Sequence, residues 1–274
     1  MMNALKKSLM VAALSASTVV AVTGCSSTTD AGAVGADRKQ LMLVSSDQVM
    51  QLSSQAYQQT IAQARAQGKL DTNRAQVARL KSIANNLIPH TAVYRPDATS
   101  WNWQVHAITA NDINAYVMPG GKIVFYSGII ERLKLTDAEI AAIMGHEMAH
   151  ALREHSREKM SRSVATSGVL SIATAALGLS SGQQELAGIA SQLGLNLPHS
   201  RTQEAEADRI GLELMARAGY DPNAAITLWQ KMQAAGGGSA PQFLSTHPSS
   251  SSRIAAMQAL IPTVMPLYQA SNKR

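Results

Sequence analysis

The chain has 274 residues, of which 46% are hydrophobic and 15% charged, a composition that excludes a disordered or fibrous protein and allows one sizeable core. The formal net charge is +6, but basic residues form no long run, so the charge does not favour nucleic acid as a partner. A single cysteine excludes an intramolecular disulfide, and core packing together with a metal is expected to hold the fold.

Residues 1–24 have the pattern of a secretory signal peptide, with Lys6 and Lys7 ahead of an apolar run. The run ends in Val22-Thr23-Gly24-Cys25, which resembles the lipobox of bacterial lipoproteins. That resemblance implies a lipid on Cys25 and, because Ser26 follows rather than aspartate, an outer-membrane anchor facing the periplasm. A plain cleaved signal with a chance cysteine, or an uncleaved membrane anchor, remains open.

The mature chain is expected to have three parts. Residues 25–45 begin with small and polar residues and are expected to form a flexible tether from the lipidated Cys25. Residues 46–262 are expected to form the folded domain, and residues 263–274 a C-terminal tail. The first predicted helix is capped by Asp47 and runs through Ala66, and the second runs from Thr72 to Leu87, before Pro89.

Between Trp101 and Gly128, apolar and polar residues alternate, which predicts about three short antiparallel strands. Thr136 and Glu139 have the spacing of a capping box, so a long helix is predicted from there through about Lys159. Further packed helices are predicted over Val164–Leu179, Gln184–Leu197, Arg201–Ala218, Pro222–Ala234 and Ser250–Leu260, with a flexible loop over Gly236–Ser239. The predicted fold class is therefore α+β and mainly α-helical, with a small antiparallel sheet beside a cleft.

The predicted helix from Thr136 carries His146-Glu147-Met148-Ala149-His150. Histidines four residues apart share one helix face, so both imidazoles can bind one zinc ion while Glu147 serves as general base. Zinc activates water and polarises a peptide carbonyl, and the carboxylate passes the proton to the leaving amine. A pair of ordinary core histidines is the alternative.

A catalytic zinc site needs a third protein ligand. In the long metzincin motif that ligand would fall on Ser156 and the motif's glycine on Arg153, which excludes that class. A carboxylate on a second helix remains, and Glu204 supplies one, with Asp208 on the same face to accept the outer N–H of a ligating histidine. Alone, this pair also suits a solvated helix face.

The segments GHEMAHALREH (145–155) and SRTQEAEAD (200–208), with His247-Pro248, resemble the M48 metallopeptidases. The resemblance covers about residues 78–260 and includes Asn114-Ala115-Tyr116 before Pro119-Gly120-Gly121. It implies a zincin-like metallopeptidase domain that binds one zinc ion through His146, His150 and Glu204, with Glu147 as catalytic base and Asp208 behind a ligand.

In periplasmic members, the histidine corresponding to His247 can occupy the fourth zinc position as a plug or lie close to the reacting oxygen. A loop histidine that caps the following helix is the other interpretation, and Arg253 is expected to reach the cleft or to form an ion pair. His155, five residues after His150, is expected to be structural because a continuous helix would turn it to another face. His199 is expected to order the loop before Glu204.

The resemblance implies an endopeptidase that clips unfolded or misassembled envelope proteins, and it makes the outer-membrane assembly machinery a candidate partner. The helical-repeat domain with which some periplasmic members dock on that machinery is not expected after residue 260. Asn114 to Met118 is expected to form an exposed edge strand that could bind an extended substrate. A chaperone or assembly factor with a latent, plugged site, and a purely structural zinc site, are the alternatives.

Overall fold

A computed structural model of the chain describes residues 25–167, 198–235, 241–248 and 250–271. The expected signal peptide, the loop over residues 236–239 and, from residue 168 on, the helices expected before residue 198 lie outside the described residues. No helix within the described ranges combines the length and apolar character that a membrane crossing requires.

The first part of the domain contains two long helices that face a small sheet. A short pair of strands, β1 (Cys25–Ser26) and β2 (Gln40–Leu41), precedes α1 (Ser46–Ala66) and α2 (Arg74–Leu87), and two 3-10 helices follow at Ile88–Val93 and Pro96–Ser100. The cap of α1 is Ser45 rather than Asp47, because the Ser45 hydroxyl and the Gln48 side chain form the capping box. Asn73 caps α2.

Three strands, β3 (Gln104–Ile108), β4 (Ala115–Met118) and β5 (Lys122–Tyr126), form a sheet in the order β3-β5-β4. β4 and β5 are antiparallel, joined at Gly120 and Gly121, whose positive φ angles glycine adopts readily. β3 and β5 are parallel, so the prediction of an entirely antiparallel sheet was wrong for this pair. The error came from pairing consecutive strands, since β3 lies on the far side of β5 from β4.

The central helices follow the sheet. They are α3 (Ser127–Arg132), α4 (Asp137–Leu152), α5 (His155–Ser167), α6 (Arg201–Arg217), α7 (Asn223–Ala234), α8 (Gln242–Thr246) and α9 (Ser251–Ser271). The mainly helical α+β fold is thus as predicted, and the Thr136 capping box opens α4. The single helix predicted through Lys159 is two helices, because the chain turns at Arg153 and Glu154, where Glu154 has a φ of 47°.

Helices α4 and α6 cross at two glycines in the middle of the core. A Cβ on Gly211 would lie 2.8 Å from the backbone nitrogen of His146, and one on Gly145 would lie 3.0 Å from the carbonyl oxygen of Gly211. Only glycine at both positions allows this backbone approach. The crossing places Glu204, in the first turn of α6, within side-chain reach of His146 and His150 on α4, which positions the site described below.

Both ends of the described chain differ from the prediction. Residues 25–45, called here the N-terminal segment, are packed rather than a flexible tether: Val34 and Ala36 are buried in the core, and Arg38 pairs with carboxylates of α5 and α6. α9 continues to Ser271 rather than ending near Leu260. Its prolines remove hydrogen bonds, but Val264 is fully buried, so packing against α6 holds the helix where a tail was expected.

Candidate active site

Four buried side chains bring nitrogen and oxygen atoms together between α4, α6 and the turn after α8: His146, His150, Glu204 and His247. His146 Nε2 lies 3.2 Å from His150 Nε2 and 3.5 Å from Glu204 Oε2. His150 Nε2 lies 3.4 Å from Glu204 Oε1. His247 Nδ1 lies 3.3 Å from His146 Nε2 and 2.9 Å from Glu204 Oε1.

These separations fit a tetrahedral zinc ion. Zinc bonds of about 2.0–2.1 Å place neighbouring ligand atoms roughly 3.3–3.4 Å apart. The contacts among His146, His150 and Glu204 range from 3.2 to 3.5 Å. Two imidazoles and one carboxylate are also a ligand set of catalytic zinc sites, which leave one position open. His247 Nδ1 is the fourth donor atom of this cluster.

Glu147 lies beside this cluster and is buried. Its Oε1 is 3.3 Å from His247 Nε2. Burial raises the pKa of the Glu147 carboxyl; the charges of His247 and His146 and a backbone N–H from Val117 lower it, and the net shift is upward. A buried carboxylate with a raised pKa, next to a metal site, has the character of a general base.

Asp208 stands one helical turn after Glu204, and its Oδ1 lies 3.0 Å from His146 Nδ1. Arg253 on α9 binds Asp208 through Nε and Nη2, at 2.8 and 2.7 Å, and its Nη1 lies 2.7 Å from Glu204 Oε2. The guanidinium also lies over the Trp229 ring, 4.2 Å from its centroid. Arg253 therefore fulfils both expectations, since it reaches the site and forms ion pairs there.

The charges of the site suit a cation. Burial alone would raise the pKa of Glu204, but His247, His146 and His150 outweigh it and hold that pKa well below its usual range. Burial lowers the pKa of His146, yet Asp208 and Glu204 raise it to about 9. In the metal-free protein His146 therefore holds a proton that a metal ion has to displace.

Two further histidines lie against His150. His155 Nδ1 is 2.7 Å from His150 Nδ1, and His155 Nε2 is 3.0 Å from Glu206 Oε2. The ring of His199 lies against that of His150, with centroids 3.9 Å apart and the ring planes 31° apart. The argument that turned His155 away from the site fails because α4 ends at Leu152. The sequence signal for this cluster was the number of histidines near the motifs. Of the seven histidines in the chain, His155 and His199 lie beside the three of the metal cluster.

A cleft opens over Glu147 and His150, and its walls come from α1, β4 and His247. Its free volume is about 40 Å³. A water molecule needs at least about 10–15 Å³ measured this way, so the cleft has room for a few waters and not for a peptide. The prediction of an edge strand holds for β4, but its four residues are buried rather than exposed.

The sequence profile of peptidase family M48 matches residues 74–261. The chain is 44% identical to mitochondrial metalloendopeptidase OMA1 of Schizosaccharomyces pombe over 58% of its own length and 47% of the relative's. It is 31% identical to metalloprotease LoiP of Escherichia coli, over 89% and 92% of the two chains. It is 26% identical to the beta-barrel assembly-enhancing protease of Escherichia coli, over 71% and 40%.

This chain thus spans less than half the length of the OMA1 and beta-barrel assembly-enhancing relatives and nearly all of LoiP. The family match covers α2 through the first half of α9, including all four residues of the metal cluster. The chain therefore belongs to peptidase family M48.

Proposed function

We propose that this chain is a zinc-dependent endopeptidase that degrades unfolded or misassembled proteins of the cell envelope. The observation that carries the proposal is the convergence of His146, His150 and Glu204 at tetrahedral spacing with a buried Glu147 beside them. The names of two Escherichia coli relatives, a metalloprotease and a beta-barrel assembly-enhancing protease, support the choice of protein substrates.

In the proposed mechanism, His146, His150 and Glu204 would hold the zinc ion. When bound there, zinc activates water and polarises the carbonyl of the peptide bond to be cut. Glu147 takes the proton from the attacking water and delivers it to the leaving amine. Asp208 fixes the ring of His146, and Arg253 holds Glu204 and Asp208 together, so the ligands keep their positions through the reaction.

The substrate is proposed to bind as an extended strand along β4, the edge of the sheet next to Glu147, after the cleft that covers this buried strand has widened. Backbone pairing recognises an extended peptide largely without regard to its side chains. This mode would select unfolded segments, which suits a quality-control role.

The protein is further proposed to act in the periplasm, anchored to the outer membrane by a lipid on Cys25, with the assembly machinery of that membrane as a candidate partner. Cys25 carries a free and exposed thiol at the start of β1. The similarity to LoiP across most of both chains supports a bacterial envelope location.

A second function, a chaperone or assembly factor with a latent protease site, is favoured by one specific observation. His247 Nδ1 stands 2.9 Å from Glu204 Oε1, in the fourth ligand position, and the cleft holds only about 40 Å³. Displacement of His247 would open the fourth position and widen this cleft. The two functions differ in whether that displacement occurs without a partner.

The test is cleavage of casein by the full chain purified in detergent, with zinc content measured for the parent, Glu147→Gln and His247→Ala. His106→Gln is the matched histidine control, since His106 pairs with Asp71 away from the site. The proposal expects cleavage by the parent and the control, no cleavage by Glu147→Gln with zinc retained, and faster cleavage by His247→Ala. If all variants hold zinc and none cuts casein, the endopeptidase is refuted and the chaperone function is favoured.

A further inference from the structure

A chain of buried contacts leads away from the metal cluster at His150. It runs from His150 Nδ1 to His155 Nδ1 at 2.7 Å, and from His155 Nε2 to Glu206 Oε2 at 3.0 Å. His155 is fully buried and Glu206 is 5% exposed. His155 lies on α5 and Glu206 on α6, so these contacts link three helices behind His150.

The direction of the hydrogen bonds follows from the role of His150. A neutral imidazole that binds a metal through Nε2 carries its proton on Nδ1. His150 therefore donates from Nδ1 to His155, which has to accept at its own Nδ1. His155 then carries its proton on Nε2 and donates it to Glu206, whose carboxylate only accepts. One consistent arrangement of protons satisfies every atom of the chain.

Metal-binding histidines commonly donate their second nitrogen to a carboxylate, a carbonyl or water. His146 has Asp208 in this position, at 3.0 Å. Among the described residues, no carboxylate contacts Nδ1 of His150. His155 contacts this nitrogen instead and connects it to Glu206. The two proposed zinc ligands on α4 are thus oriented by different partners, His146 by Asp208 and His150 by His155 with Glu206.

The N-terminal segment contributes to the contacts that hold Glu206 behind His155. Arg38 binds Glu206 through Nε at 2.8 Å and through Nη2 at 3.0 Å. Its two terminal nitrogens also bind the fully buried Glu158, each at 2.9 Å. Arg153, at the end of α4, donates to Glu206 at 3.1 Å and to the backbone oxygen of Arg38 at 2.8 Å. The orientation of Glu206 therefore depends on residues outside the helices that carry the ligands.

We propose that His155 is the positioning residue of His150, and that Arg38 makes the N-terminal segment part of the support of the metal site. This inference rests on the proposed zinc ligands. It predicts that zinc affinity depends on two residues that touch neither zinc nor substrate. It also predicts that the N-terminal segment contributes to the metal site as well as to stability.

The experiment measures zinc affinity by competition with a chelator, and unfolding of the zinc-free protein by urea, on the full chain in detergent. The variants are His155→Phe, which removes both polar atoms, and His155→Gln, whose amide can accept from His150 and donate to Glu206. Arg38→Gln tests the N-terminal segment. Arg79→Gln is its matched control, because Arg79 is similarly exposed, at 33% against 30%, and pairs with Asp137 far from the site.

We expect His155→Phe to weaken zinc binding about 10–100-fold, the usual effect of removing such a support. His155→Gln should restore most of the affinity. Arg38→Gln should lose about two- to tenfold, less than His155→Phe because Arg38 acts on His150 only through Glu206 and His155, while Arg79→Gln stays at the parent value.

Several results would overturn the proposal. The first is a folded His155→Phe variant that binds zinc within twofold of the parent affinity. The second is a loss of zinc affinity in His155→Gln as large as that in His155→Phe, because the loss would then come from the changed shape of the side chain and not from its hydrogen bonds. If His155→Phe does not fold, equal affinities of Arg38→Gln and Arg79→Gln decide against the proposal. Retention of zinc by Glu204→Gln at parental affinity would instead refute the proposed ligand set, so the two failures are distinguishable.

Discussion

The crossing of α4 and α6 makes Gly211→Ala the most direct probe of how the helices fix the metal site. The new Cβ would lie 2.8 Å from the backbone nitrogen of His146 and 3.0 Å from its Cα. Contacts between such atoms are normally at about 3.5–4.0 Å, so the two helices have to separate by several tenths of an ångström. Backbone atoms cannot rotate away as a flexible side chain can.

The magnitude is a balance of two effects. Overpacking a tight core costs about 1–3 kcal/mol, whereas replacing glycine by alanine inside a helix gains about 1 kcal/mol. Because the obstacle is backbone on a second helix, we expect a net loss of about 1–2 kcal/mol in the free energy of unfolding. Gly145→Ala meets its nearest atom at 3.0 Å, a carbonyl oxygen, and should lose less.

The assay is urea unfolding of the zinc-free protein together with chelator competition for zinc. Separation of the helices moves Glu204 away from His146, so zinc affinity should fall along with stability, by about tenfold for each 1.4 kcal/mol borne by the site. Gly145→Ala is the graded comparison. If Gly211→Ala is more stable than the parent and binds zinc equally well, the close crossing does not set the ligand geometry.

Three further predictions follow from other features. Burial raises the pKa of Glu206, but His155 and Arg38 outweigh it and lower that pKa from 4.5 to about 2. The ionised Glu206 therefore stabilises the fold fully above pH 4.5, and this contribution is lost as the pH falls toward 2. Urea unfolding between pH 6 and 2.5 should show the loss, and the loss should be smaller in Arg38→Gln. Removing zinc with a chelator should lower the melting temperature, since a ligand at a thousand times its Kd stabilises by about 4 kcal/mol; an unchanged melting temperature would contradict a native zinc site. Gly32→Ala should cost about 1–3 kcal/mol because Gly32 has a φ of 60° and a Cβ there would lie 2.5 Å from the Tyr94 ring; limited proteolysis should then cut within residues 25–45 sooner, and equal cutting rates would argue against a tightly docked segment.

The predictions that held rest on local rules. The Thr136 capping box and the two histidines at i and i+4 are fixed by helix geometry within one turn or two, and the structure has both on α4. Glu204 and Asp208 needed a second helix at the right distance, and sequence spacing alone did not supply it. The two helices cross as they do because Gly145 and Gly211 meet, and that long-range contact has no local pattern.

The predictions that failed depended on tertiary contacts. Small and polar residues after Cys25 predicted a tether, but Arg38 and Gln40 find buried carboxylates that lie far along the chain. The pairing of β3 with β5 depends on where the chain crosses the sheet, which alternation of residues does not encode. Glu154 in the left-handed region is uncommon for a residue other than glycine, so the turn that brings His155 back to His150 was not expected.

The pairing of β1 with β2 limits how far the active-site cleft can lie from a membrane to which Cys25 is anchored. Cys25 pairs with Leu41, and Arg38 lies three residues before that strand pair ends, so the chain has no slack between the proposed lipid and the body. A lipid on Cys25 would then keep the cleft within a fixed distance of the bilayer surface. Its reach would be limited to polypeptide that emerges next to the membrane surface.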